Sequence, residues 1–105
     1  MPPKSAREAV VRANRDRFRS VVDPLFNGHL SNAARVLGLP FSTVQAYYQH
    51  GPRRMSRDFV ATLEVAERWR DEHLVKLRRL DWEADYSARK RAVLLSALAS
   101  EVRRG

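Results

Sequence analysis

Leu30-Ser31-Asn32-Ala33-Ala34-Arg35-Val36-Leu37-Gly38-Leu39-Pro40-Phe41-Ser42-Thr43-Val44-Gln45-Ala46-Tyr47-Tyr48, residues 30 to 48, reads as two short helices meeting at a tight turn. Ala33 and Ala34 are small enough for a second helix to approach closely, and Gly38 can enter the left-handed backbone region without a Cβ clash. Leu37, Leu39, Val44 and Tyr47 fall at spacings that bury them between the two helices. The earlier helix is predicted over Ser31 to Leu37, with Ser31 as its N-cap. The later one is predicted from about Pro40 to Gln49, with Pro40 in a first turn that does not need its missing donor. Gly51-Pro52 supplies the stop.

Working outward, Ser5-Ala6-Arg7-Glu8 has the form of a capping box and opens a first helix. Its apolar face is Ala9/Val10, Ala13, Phe18, Val21/Val22 and Leu25, and the Asp23-Pro24 and Asn27-Gly28 pairs bend or end it between Asp23 and Asn27. Ser56 caps a fourth helix carrying Phe59/Val60, Leu63, Ala66 and Trp69. Beyond Trp69 the pattern stays helical, with a break near Asp85-Tyr86-Ser87 and a last helix whose stripe is Ala88, Ala92, Leu95, Leu98/Ala99 and Val102. Strict alternation is missing, and β-branched residues are sparse. The expectation is an all-α fold: a compact helix-turn-helix bundle of four to five helices. Residues 1–69 form its helix-turn-helix part, and residues 70–105 form a C-terminal helical extension for dimerisation within the same compact unit.

Composition narrows the chemistry. The 105 residues include 20 Lys or Arg against 12 Asp or Glu, a formal charge of +8, and no Cys. Without cysteine there is no disulfide framework, thiolate zinc site or Cys nucleophile. The N-terminal stretch is charged throughout and lacks a secretory apolar core, so a cytoplasmic location is expected. The longest uncharged run, Val36 to Pro52, contains Gly, Pro, Gln and His and does not read as a membrane span. His29, His50 and His73 lack the i, i+4 spacing of a helical metal site, so no metal or cofactor is expected. Glu64, Glu67, Asp71 and Glu72 interleave with Arg68, Arg70, Lys76, Arg78 and Arg79, which reads as a salt-bridged face and not as an acid/base pair. No nucleophile triad or phosphate-binding glycine loop is present, so enzyme activity is not expected.

A basic chain of this kind suits a polyanion, and the central stretch specifies which one. The outward positions of the third helix are Phe41, Ser42, Thr43, Gln45, Ala46 and Gln49, neutral and mostly polar. Gln can bond adenine with two hydrogen bonds, Ser and Thr can contact several bases, and Ala or Phe can pack on a thymine methyl. For Phe41, burial as a helix staple is the competing role. No formal charge lies between Val36 and Pro52, while Arg35 precedes that run and Arg53, Arg54 and Arg57 follow it. Phosphate contacts position a protein and base contacts specify sequence, so this division suits a groove reader of double-stranded DNA. Ser31 and Asn32 join the arginines as phosphate contacts. Lys4, Arg7, Arg12 and Arg15 form a further basic group, either a backbone contact or a short arm.

From about Leu30 to Trp69 the sequence resembles the lambda-repressor-like, or Cro/XRE, DNA-binding family of bacteria and their phages. The likeness lies in the small-residue second helix, Gly38, the Phe41 to Tyr48 pattern, the His50-Gly51 exit, the Pro52-Arg53-Arg54 loop and the Ser56-led helix. It departs from the family in the short interval between Ser31-Asn32 and Gly38. The resemblance implies a homodimer on an inverted-repeat operator near a promoter, a repressor or autorepressor of phage or mobile-element type, including the anti-CRISPR-associated kind. Leu74, Leu77, Trp82, Leu94, Leu95, Leu98 and Val102 are the expected dimer interface, with folding back onto the core as the alternative. Other readings are a small terminase-like packaging subunit and an antitoxin with a toxin-binding C-terminal region. Net charge is +3 over residues 1 to 29, +3 over 30 to 58 and +2 over 59 to 105, so the positive excess is denser over the first 58 residues, which include the motif, than over the C-terminal part.

Overall fold

A computed structural model describes residues 3–78 and 85–104. Among the described residues every regular element is a helix: α1 (Pro3–Phe26), α2 (Leu30–Leu37), α3 (Phe41–Gln49), α4 (Arg57–Arg78) and α5 (Asp85–Arg104). The chain is thus the all-α bundle that its periodicity predicts. α1 packs along α4 and also braces α2 and α3, while α2 lies between α3 and α5.

Apolar spacing explains the arrangement. Phe18, Val21, Val22, Leu25 and Phe26 of α1 are buried against Phe59, Leu63, Ala66 and Trp69 of α4 in one core. α1 starts at Pro3, so Ser5 lies inside the helix and does not precede it as an N-cap. Pro24 sits within the last turn of α1 and has no N–H to give the Ser20 carbonyl. Arg70 of α4 donates to that carbonyl instead, at 3.2 Å, so the oxygen keeps a partner. Asn27 and Gly28, at φ 51° and 77°, then end the helix in the predicted interval.

Three caps are local, and two of them shift from expectation. His29, not Ser31, is the N-cap of α2, because Leu30 is already helical and Ala33 donates to the His29 carbonyl at 3.1 Å. Pro40 is the N-cap of α3 and not its first-turn residue, with an extended ψ of 141°. Ser56 does cap α4: its Oγ accepts the Phe59 N–H at 3.1 Å. α4 then continues to Arg78, across the boundary expected after residue 69, with Trp69 buried and stacked on His73 at 4.1 Å.

Of the residues expected at a dimer interface, Leu77, Leu95 and Leu98 are buried inside the single chain, while Leu94 and Val102 are half-buried and pack against the same core. Leu74 is half-buried, and Trp82 lies outside the described residues. α5 already begins at Asp85, so Ser87 is inside it. Its inward stripe includes Arg91 in place of the expected Ala92, which is exposed. Arg91 Nη2 donates to the Leu77 carbonyl at 3.2 Å, in the last turn of α4, where backbone carbonyls lack helical partners. Burial pushes this guanidinium down to about 10.

Candidate nucleic-acid interface

The turn that presents α3 is fixed by backbone chemistry. Gly38 adopts φ 69° and donates to the Ala34 carbonyl, and Leu39 donates to the same carbonyl at 3.0 Å. A side chain at Gly38 would meet open space, so the requirement there is conformational alone. Val44 is fully buried under α3, and the Tyr47 ring lies edge-on to Phe59 at 5.0 Å and to Phe18 at 6.2 Å.

A second fastening holds the far end of α3. Arg19 Nε donates to the Tyr48 carbonyl at 2.6 Å while its guanidinium sits 4.7 Å from the Tyr48 ring centroid. The Tyr48 hydroxyl donates to Asp23 Oδ1 at 2.7 Å. That hydrogen bond, helped by burial, pushes the phenol above its ordinary value. α3 is therefore held on its inner side along most of its length, which sets the rotation of its outer side.

The outer side carries five of the six residues expected to face bases. Phe41, Ser42, Gln45, Ala46 and Gln49 are all exposed and follow the i, i+1, i+4, i+5, i+8 spacing of a single helical face. Thr43 is half-buried at its flank. Phe41 is 50% exposed, which settles its alternative role: it is not a buried staple. Ser31, Asn32 and Arg35 are exposed on α2, and Asn32 Oδ1 accepts from Arg35 Nη2 at 3.2 Å. Arg53, Arg54 and Arg57 are exposed beyond the far end of α3, with no hydrogen-bond or ion-pair partner among the described residues. The arginines facing the bundle behave differently. Arg17 forms a two-point contact with Glu67 at 2.7 and 3.0 Å, which raises its pKa, and Arg70 bonds Asp71 and Ser20.

Sequence reading missed Arg19, Asp23 and Asn14 as supports of this surface. It also gave Gly51 only a stop role. Gly51 has φ 89°, and a Cβ there would strike the Val11 carbonyl and lie 2.8 Å from Arg15 Cβ. The Gly-Pro pair signalled a turn, but its close approach to α1 depends on tertiary contact. Among the described residues no group of three or more His, Cys, Asp or Glu could hold a metal, and no helix is long and apolar enough to cross a membrane. Comparison with known proteins gives no match to a family model, a curated protein or a solved structure.

Proposed function

We propose that this chain is a sequence-specific, double-stranded DNA-binding transcriptional regulator that represses by occupying an operator. One observation carries the reading: the exposed face of α3 is uncharged, while exposed arginines stand on both of its flanks. In this reading Phe41, Ser42, Thr43, Gln45, Ala46 and Gln49 read base edges in the major groove. Ser31, Asn32, Arg35, Arg53, Arg54 and Arg57 bind phosphates. A helix of this size fits the major groove, and a neutral reader avoids indiscriminate attraction along its own length.

The operator-bound form is proposed as a homodimer on an inverted repeat, with recognition helices about 34 Å apart, one turn of DNA. Its contact surface lies outside the residues that close the single-chain core. Selection of bound duplexes from a random pool, followed by mass measurement of the complex, tests both parts. The expected result is an enriched two-fold-symmetric site carrying two copies. A pool that returns unenriched contradicts sequence reading, and one copy on an asymmetric site contradicts the dimer.

A further inference from the structure

We infer that the cleft between α1 and the 50–54 loop is an additional contact, a seat for the sugar–phosphate backbone beside the groove that α3 enters. The inference rests on the DNA-reading proposal and extends it to residues of α1. The cleft encloses about 1060 Å³. Its lining brings together Arg7, Arg12, Arg15, Arg53 and Arg54 against one carboxylate, Glu8. Arg15 is paired with Asp16 at 3.1 Å, whereas Arg7, Arg12, Arg53 and Arg54 have no hydrogen-bond or ion-pair partner among the described residues. Guanidiniums gathered around one concavity repel each other, and a strand of phosphodiesters is a ligand that relieves the repulsion.

The floor adds a second match. Ala6, Val10 and Val11 line it, and Val10 is left 53% exposed. A nucleic-acid strand presents an apolar sugar edge beside each anionic phosphate, so an apolar floor with an arginine rim suits it. An acidic polypeptide would supply the charge without that rigid alternation. The walls are held in place before any ligand arrives. Asn14 Nδ2 donates to the Pro52 carbonyl at 2.9 Å, and the missing side chain of Gly51 lets the loop lie directly on α1.

The cleft is continuous with the α3 surface, because His50 leaves α3 and lines the cleft along with Arg53 and Arg54. From Arg7 to Arg15 the helix rises about 12 Å at 1.5 Å per residue, room for roughly two to three successive phosphates along the path of one strand. The cleft thereby lengthens the contacted backbone on the side of α3 where the helix ends.

The test uses the double variant Arg7→Gln/Arg12→Gln, with both changes at exposed positions. Binding to the selected duplex and to poly-L-glutamate is followed by fluorescence anisotropy across about 50 to 200 mM salt. The log–log salt slope is expected to fall by about 1.8, so the wild-type advantage shrinks about tenfold over that range. Base preference and circular dichroism are expected to stay unchanged, and hydroxyl-radical protection to shorten by roughly two to three sugars on one strand. An unchanged slope and footprint overturns the cleft proposal and leaves the groove reading intact. A loss confined to poly-L-glutamate overturns it in favour of an acidic protein partner. Wild-type protein that binds no duplex overturns both readings.

Discussion

Helices α3 and α5 both pack on α2 and use their residues in opposite ways. α5 presses Leu95, Leu98 and the stem of Arg91 into the core and leaves an outer side with Arg89, Lys90, Arg103 and Arg104 at its two ends and the exposed Val93 between them. α3 buries only Val44 and leans on two half-buried tyrosines, and its outer side has no charge. A helix that exists for packing gains solubility from charge on its free face. On the proposed reading, the uncharged face that α3 leaves in water, on a chain of net charge +8, is one for which DNA supplies the contacts. The contrast teaches that the C-terminal segment is part of the scaffold and that α3 is what the scaffold presents.

The strongest way to break this contrast is to test α5 as scaffold. Leu98→Ala empties a fully buried position and is expected to cost about 2 to 5 kcal/mol, in a single cooperative urea transition. A small loss, or a separate early transition, would show α5 to be an appendage. Next comes the exit from α3. Gly51→Ala must both hold a left-handed backbone and displace the α1 backbone, whereas Gly38→Ala meets only the conformational cost of about 1 to 2 kcal/mol. Chemical denaturation should therefore rank Gly51→Ala as the more damaging, and equal effects would remove the close approach from the account.

The smallest effect belongs to the tyrosine that fastens α3. Tyr48→Phe deletes one hydrogen bond and should cost about 0.5 to 1.5 kcal/mol. Because the folded phenol titrates above its unfolded value, its contribution is complete below about pH 10 and disappears as pH rises through the raised folded value. Urea midpoints compared between wild type and Tyr48→Phe should thus converge on going to strongly alkaline pH. A difference that stays constant would mean that the hydroxyl does not hold Asp23 in solution.

What could be read from the chain divides by range. Gly38, the Asn27-Gly28 stop and the Ser56 cap were legible because each depends on neighbours within a turn. The choice of His29 over Ser31 as N-cap was not, since Leu30 is drawn into the helix where it packs against the core. The apolar stripe of α5 was plain, but amphipathicity says only that a face is covered and not by what. In the single chain that face packs on the chain's own core, and Arg91, at i−4 from Leu95, lies on it although its charge gives no sign of burial. The neutral face of α3 was legible by residue type. The Arg19–Tyr48–Asp23 fastening, 29 and 25 residues apart in sequence, left no local trace.

The central claim is that the exposed side of α3 reads bases. It is tested most directly by competing the selected duplex against its single-base variants, with wild type and with Gln45→Ala. The account predicts that wild type discriminates at several positions and that Gln45→Ala loses about 1 to 3 kcal/mol of discrimination at one base pair while its folding stability is unchanged. Equal discrimination by both proteins at every position would contradict it.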